Sequence, residues 1–286
     1  MKITEPEPEL LGAARLGNLA ALNRLLAVIQ PGIYNLALRV LGQPEDAADA
    51  SQEILLKVVM HLTSFRADAS FTTWVWRIAH NHLMTARTRS FESPLVSLES
   101  ITERLDTGLE FADRAAYARG EPGPLTPEDK FEARQVALKC TQSMLMALDR
   151  EQRIVYLLDT VFDLTSKQAA EVVGITPEAY RQRLSRTRSR LHGFMGRKCG
   201  LVNADSACSC GRQLPAVRHM RGSRPVKPTG DEEQRVAEDA IDSFFRISDA
   251  ASIFRSHPEV QAPEALHSAI RAVLSREGFL TQEPSR

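Results

Sequence analysis

The sequence lacks the marks of a membrane or secreted protein. No apolar run approaches the roughly 20 residues that a membrane-spanning helix needs. The N-terminus carries Glu5, Glu7 and Glu9, whereas a signal peptide begins with basic residues followed by apolar ones. Only four cysteines occur in 286 residues, and their spacing is not that of a disulfide framework. We therefore expect a cytoplasmic protein that does not bind a membrane.

The chain also lacks a net charge and a recognisable catalytic arrangement. Its 36 lysines and arginines balance its 36 aspartates and glutamates, so any DNA-binding site must be local. There is no glycine-rich phosphate loop, and His61, His80 and His82 have no carboxylate and nucleophile beside them in a known catalytic pattern. An enzyme is therefore the least favoured class of protein.

The spacing of apolar residues predicts an all-α fold. Runs of alternating β-branched residues are absent, and helical periodicity dominates between three stretches rich in proline and glycine. The sequence predicts two helical domains joined by an extended, partly mobile linker and followed by a mostly helical C-terminal extension. We place a tail at 1–15, the first domain at 16–90, an acidic linker at 91–127, the second domain at 128–198 and the extension at 199–286.

Helices of the first domain follow from apolar residues at helical spacing. The pattern predicts one helix over 22–29 and another over 33–41, each with one buried face. A third helix begins near Asp46 and turns Asp46, Asp49 and Glu53 outward, which predicts an acidic ridge. A solvated acidic face without a partner is the alternative interpretation of these charges.

A fourth helix, which follows the loop at 66–70, combines aromatic and basic residues. Phe71 and Trp74 share one apolar face, so Trp74 is expected in the core and Trp76 on the outer face. Flat side chains cover unstacked bases, and arginine holds phosphates. The residues expected to point away from the core are Trp76, Arg77, His80, Asn81, Met84 and Arg87.

The second domain contains a predicted helix-turn-helix. Thr165 or Ser166 caps its first helix, Gly174 forms the turn, and Thr176 followed by Pro177 starts its second helix. The second helix of this motif lies in the DNA major groove, where side chains near its N-terminus reach base edges. Here those side chains include Glu178, Arg181, Gln182 and Arg186. The structural alternative is a solvated basic helix, and the functional alternative is a repressor or activator that binds an operator without being a polymerase subunit.

Motifs in both predicted domains resemble one family. Residues 148–153, the helix-turn-helix and residues 180–191 resemble region four of extracytoplasmic-function (ECF) sigma factors. Asp49-Ala-Ser-Gln52-Glu53 resembles the Asp-x-x-Gln-Glu stretch of their region two, and residues 71–81 resemble its Phe-x-x-Trp-Leu-x-Arg-Ile-Ala-x-Asn signature. The two matches cover about residues 16–90 and 128–198, in the order that the family has.

The resemblance implies a promoter-recognition subunit of RNA polymerase, serving a stress or metal regulon. Its implied partners are promoter DNA and core polymerase, through the clamp helices of the largest subunit and the flap region, and an anti-sigma factor is a further candidate. The implied polymerase-binding residues are Asp49, Gln52 and Glu53. The implied minus-ten residues are Ser70, Phe71, Trp76, Arg77, His80, Asn81 and Arg87, although the family commonly has another residue at His80. The implied minus-thirty-five residues are Thr176, Glu178, Arg181, Gln182 and Arg186.

Three cysteines open the C-terminal extension, at Cys199, Cys208 and Cys210. Three thiolates suit zinc or copper(I), with His192 or His219 as a candidate fourth ligand, so the sequence predicts a metal site as one interpretation. Reduced thiols on a polar loop and a redox-sensing pair are the alternatives. The remaining cysteine, Cys140, is expected in the core of the second domain.

Two apolar stretches later in the extension, at 236–254 and 266–274, predict a small helical hairpin. Its apolar faces need cover from each other or from the two domains. A built-in regulator and a stabilising appendage are equally compatible with this pattern.

Overall fold

A computed structural model describes residues 2–86, 96–119, 124–222, 243–263 and 266. Within these ranges all regular structure is helical, which confirms the all-α prediction. The helices are α1 Pro8–Arg15, α2 Leu19–Leu41, α3 Pro44–His61, α4 Phe71–Thr85, α5 Leu98–Arg119, α6 Pro127–Met146, α7 Arg150–Thr160, α8 Ser166–Val173, α9 Pro177–Lys198, α10 Leu214–Met220 and α11 Ala250–Arg255, with a 3-10 turn at Leu62–Ser64. None of the described helices is long and apolar enough to cross a membrane.

Helix α2 corrects the prediction of two separate helices before residue 42. It continues through Pro31, where the sequence suggested a break. Proline removes one intrahelical hydrogen bond, but Ile29 and Ile33 on either side of it are fully buried, so packing holds the helix together. Gly42, with φ 78°, ends the helix in the left-handed conformation as predicted.

The contacts divide the chain into two compact units. The first unit combines residues 1–92, 149–184 and 258–286, and its core is formed mainly by α2, α3 and α4. Helices α7 and α8 pack in the same unit, where the Arg150 guanidinium donates to the carbonyls of Leu83 (2.9 Å) and Ala86 (2.9 Å) at the end of α4. Helix α7 and helix α8, the first helix of the predicted helix-turn-helix, therefore pack with the first predicted domain.

The second unit combines residues 93–148 and 185–257, with α10 packed on α5 and α6. Helix α5 corrects the prediction of an extended linker, because residues 98–119 are helical. Its buried residues Leu98, Ile101 and Ala112 follow a helical spacing that its many charges obscure. The apolar stripe of α5 forms because α10, from the extension, provides the surface that covers it.

A buried carboxylate joins α10 to the start of α6. Arg218 donates to Glu132 at 2.7 Å and to Asp129 at 2.6 Å, and Glu132 is only 1% exposed. Asp129 also completes a capping box with Thr126 at the N-terminus of α6. These bonds fix the beginning of the extension to the second unit.

The end of the extension is described only in part. Helix α11 buries Ile253 and Phe254, as the apolar spacing predicted, and His257 lies 2.7 Å from the Thr141 hydroxyl of α6. Most of the predicted helical hairpin, including 223–242 and 267–286, lies outside the described residues.

Candidate nucleic-acid interface

Helices α8 and α9 form the predicted helix-turn-helix. Thr165 caps α8 by accepting a hydrogen bond from the Gln168 N–H (3.3 Å), and the Gln168 side chain accepts one from the Thr165 N–H (3.0 Å). Gly174 ends α8 with φ 78°, a conformation that disfavours other residues. The Thr176 hydroxyl then accepts from the Ala179 N–H at 3.2 Å. Both caps and the turn lie where the sequence predicted them.

One buried tyrosine anchors the second helix of the motif. Tyr180 is fully buried, and its hydroxyl donates to the Val155 carbonyl of α7 at 2.7 Å. Leu184 and Leu191 continue the buried side of α9, as predicted. This anchoring determines which side chains of α9 point to solvent.

The exposed face of α9 contains every residue that the sequence assigned to the minus-thirty-five element. All five residues are exposed, and together they form the recognition face: Thr176, Glu178, Arg181, Gln182 and Arg186. By contrast, the neighbouring Arg183 forms an ion pair with Glu151 of α7. A set of exposed donors and acceptors at the N-terminal end of such a helix can reach base edges in a major groove.

The N-terminus of α4 is capped twice. Ser70 accepts a hydrogen bond from the Thr73 N–H at 3.1 Å. The Glu5 carboxylate, from the N-terminal tail, accepts from the N–H groups of Phe71 (2.7 Å) and Thr72 (3.0 Å). A carboxylate is favourable at the positive end of a helix. Sequence reasoning missed Glu5, because its partner is 66 residues away and no local pattern signals it.

The two tryptophans of α4 correct the sequence-based prediction. Trp76, expected on the outer face, is 2% exposed and packs on Phe162 with ring centroids 5.0 Å apart. Trp74, expected in the core, is only partly buried, and its ring packs in a tilted arrangement against Phe65 and Phe71. The reason is tertiary, since α7 and α8 cover the side of α4 that carries Trp76. In this structure Trp74 presents the more accessible ring.

The remaining minus-ten candidates differ in accessibility. Phe71 is fully buried, so its ring does not face solvent as a base-contacting residue would. Arg77 is exposed but pairs with Glu171 of α8 at 3.1 Å. His80 is 9% exposed and bonds to the exposed Asn81 at 3.1 Å, and burial lowers the pKa of His80. Arg87 lies outside the described residues.

The acidic ridge of α3 is smaller than predicted. Asp49 and Glu53 are exposed and Gln52 is half-buried, but Asp46 is only 5% exposed. Asp46 lies in the first turn of α3, close to the core. The polar surface that remains, Asp49, Gln52 and Glu53, is the set that the sequence assigned to polymerase binding.

The four cysteines of the chain line one small cavity in the second unit. The cavity has a volume of about 30 Å³ and lies among α5, α6 and residues 198–213. Cys140 of α6, which the sequence placed in the core, faces Cys199, Cys208 and Cys210 across it. His192 and His219 are absent from the wall, and His219 instead stacks on Phe111 at 4.8 Å. The prediction of a histidine as fourth ligand therefore finds no support in this cavity and stays a prediction.

Burial keeps these thiols protonated. It raises the pKa of Cys140 to about 12 and raises the pKa of Cys199, Cys208 and Cys210 as well. The backbone N–H groups of Leu201 and Val202 offset part of the rise in the pKa of Cys199. Among the described residues, no three cysteine, histidine or acidic side chains already surround one point as metal ligands.

Comparison with known proteins identifies the two DNA-facing parts. Residues 25–90 match the family model of sigma-70 region 2, and residues 138–191 match sigma-70 region 4. The chain therefore carries two conserved regions of sigma-70-type sigma factors, and it is similar to ECF sigma factors. It is 29% identical over 188 residues to the RNA polymerase sigma factor CnrH of Cupriavidus metallidurans, a match that covers 65% of this chain and 92% of that protein.

Other relatives agree with this assignment. The ECF RNA polymerase sigma factor SigW of Bacillus subtilis is 26% identical over 175 residues, which cover 61% of this chain and 89% of SigW. SigM of Mycobacterium tuberculosis is 26% identical over 190 residues, covering 66% and 85% of the two chains.

Regions 2 and 4 together show a sigma factor, which directs RNA polymerase to promoters and binds core polymerase and promoter DNA. The match to region 2 argues against the alternative of a repressor or activator that binds an operator, because such a regulator needs only the helix-turn-helix and not region 2. Both region matches end before Cys199, so they leave the cysteines of the extension unassigned.

Proposed function

We propose that this sigma factor reads the minus-thirty-five element through the recognition face of α9 and opens the minus-ten element through α4. The observation that carries the proposal is the exposure of all five recognition-face residues on a helix whose start is fixed by a cap and whose other side is buried through Tyr180. Arginine and glutamine at such positions pair with guanine and adenine edges, respectively, in the major groove. Because the chain has no net charge, its phosphate contacts come from local arginines such as those of α9.

The minus-ten role is assigned to the outer surface of α4 and its N-terminal cap. Ser70 and Asn81 are exposed polar residues at the two ends of this surface, and the partly exposed Trp74 offers a ring on which an unstacked base can lie. Arg77 is available to phosphates once it leaves Glu171. An exposed ion pair of this kind contributes less than about 1 kcal/mol, so phosphate binding can displace it.

The contact of α4 with α8 gives the proposal a conformational requirement. Trp76 is covered by Phe162, and Arg77 is paired with α8. Separation of α8 and the preceding Phe162 from α4 would free both residues of the minus-ten helix. We expect this separation when the sigma factor binds polymerase, since regions 2 and 4 then contact two promoter elements that are apart on the DNA.

Polymerase binding is assigned to α3. Asp49 and Glu53 are exposed one helical turn apart with Gln52 between them, and they form a polar face that can bind the clamp helices of the largest subunit. Region 4 is assigned to the flap region, and the site of action is the cytoplasm, where core polymerase is found. Control by an anti-sigma factor stays a prediction from the family resemblance.

The test is reconstitution of the full chain with core polymerase on fragmented genomic DNA, followed by mapping of transcript starts. We expect a small set of starts that share two upstream sequence elements. A Glu53→Lys variant should lose polymerase binding in size-exclusion chromatography and lose these starts, whereas Glu9→Lys, a matched charge reversal on α1, should keep both. Absence of any sigma-dependent start, or equal transcription by both variants, would refute the assignment.

A further inference from the structure

The structure brings together cysteines that are far apart in the sequence. Cys140 belongs to α6, whereas Cys199, Cys208 and Cys210 belong to the segment that follows α9. All four side chains line the same cavity of about 30 Å³, together with apolar residues such as Val136 and Met144. The cavity is too small for an organic ligand and has the volume of about one water molecule.

The segment that carries three of these cysteines is held in a defined shape. The Gly200 N–H donates to the Cys208 carbonyl at 2.8 Å, and a Cβ at position 200 would lie 2.5 Å from that carbonyl oxygen, so only glycine allows this approach. The N–H groups of Val202 and Asn203 both donate to the Cys199 carbonyl. These bonds place Cys199 and Cys208 side by side without help from a disulfide, since all four cysteines are free.

A hydrogen-bond donor and a cation lie beside the thiols. The Gln213 amide donates to the Cys208 sulfur at 3.5 Å. Lys198 lies in the cavity wall and pairs with Asp106 at 3.2 Å. Such groups stabilise negative charge on sulfur, which is the charge that a metal-bound thiolate retains.

A second cavity reaches the thiols from the surface. It has a volume of about 350 Å³ and shares Cys140 and Gln213 with the thiol cavity. Its wall includes Met220, which is 77% exposed, so it opens to solvent. An ion therefore has an entry path to Cys140.

We propose that Cys140, Cys199, Cys208 and Cys210 bind one divalent ion of the zinc group, Zn²⁺ or its softer analogue Cd²⁺, as four thiolates. On binding, the four S–H groups release four protons to solvent, and the site carries a net charge of two minus. Four sulfur ligands without a carboxylate in the wall favour tetrahedral coordination with Zn–S distances of about 2.3 Å. Coordination requires the thiols to move closer to a common point, because no three ligand side chains among the described residues already surround one.

A disulfide switch fits the same residues less well. A disulfide would join only two of the cysteines, whereas all four line the one cavity. The site would also join the extension to α6 of the second unit, so metal binding would order residues 199–213 against α5 and α6.

The test uses the full chain purified under reducing conditions without chelator. We expect about one zinc per chain by elemental mass spectrometry, and a thiolate-to-cadmium charge-transfer absorption that saturates at one equivalent of Cd²⁺. Cys140→Ser should weaken Cd²⁺ binding by at least about tenfold, comparable to losses that follow from changes around metal ligands. Ser209→Ala, which alters the same loop and keeps every thiol, should bind like the original chain.

Several results would overturn the proposal. They are Cd²⁺ binding by Cys140→Ser at unchanged affinity, absence of stoichiometric metal in a chain with four titratable thiols, and a mass lower by two hydrogens that shows a disulfide. Circular dichroism checks whether the Cys140→Ser variant is folded. If it is not folded, the Cys210→Ser variant is tested in its place. Because the readout is metal content, failure of this proposal is distinct from failure of promoter recognition.

Discussion

Replacement of Arg181 with alanine tests whether the recognition face of α9 reads promoter DNA. Arg181 is exposed, and it makes no ion pair or hydrogen bond with the part of the chain that the structure describes. A surface substitution of this kind changes the free energy of unfolding by less than about 0.5 kcal/mol. The folded protein should therefore be unaffected.

The effect on DNA should be much larger. An arginine that contacts a guanine edge contributes about 1 to 3 kcal/mol, which corresponds to a loss of roughly 5- to 150-fold in affinity for the correct sequence. If Arg181 instead contacts only a phosphate, affinity should fall on every sequence alike, and the slope of log affinity against log salt should decrease by about one unit. The two roles are therefore separable.

The assay is footprinting of holoenzyme on a promoter mapped by the reconstitution experiment, with the original and a mutated minus-thirty-five element. Arg197→Ala is the matched control, since Arg197 is an exposed arginine about four turns further along α9. We expect Arg181→Ala to reduce occupancy of the original minus-thirty-five element. The difference in occupancy between the original and the mutated element should become smaller. Arg197→Ala should preserve that difference.

One outcome would refute the assignment of Arg181. If Arg181→Ala leaves promoter occupancy unchanged at both low and high salt while the protein remains folded, α9 does not read the element through this residue.

Two further predictions concern stability. Trp76→Ala should lower the free energy of unfolding by about 3 to 5 kcal/mol, because it removes a buried aromatic side chain. Trp74→Ala should lower it less, because Trp74 is only partly buried. Equal losses of unfolding free energy in urea denaturation would contradict this difference in burial. Burial lowers the pKa of His80, so the unfolded chain takes up the proton first as pH falls through about 6.5 and stability decreases. Denaturation at several pH values measures this effect. Between pH 7.5 and 5, the free energy of unfolding should decrease less for His80→Gln than for the original protein. An identical decrease in the two proteins would rule out a contribution from His80.

Much of the DNA-reading part was predictable because its signals are local. Caps at Thr165 and Thr176 and the turn at Gly174 depend on hydrogen bonds and dihedral angles within a few residues. The alternation of buried and exposed positions on α9 follows from helical periodicity once Tyr180 and Leu184 are recognised as apolar. For the same reason the exposed acidic positions Asp49 and Glu53 of α3 were visible in the sequence.

The errors occurred where distant segments determine burial. The break expected at Pro31 did not occur because packing on both sides outweighs one missing hydrogen bond. Helix α5 was missed because its charged sequence hides an apolar stripe that α10 and α6, from other parts of the chain, cover. Glu5 was missed because it caps a helix 66 residues away.

The sequence by itself determined the helix-turn-helix, its caps and the residues that α9 presents to solvent, since these depend on interactions between near neighbours. Only the tertiary structure decided that Trp76 is covered while Trp74 is accessible, and that Cys140 joins the three cysteines of the extension. The burial of a side chain depends on which surface is folded over it, and that surface comes from another part of the chain.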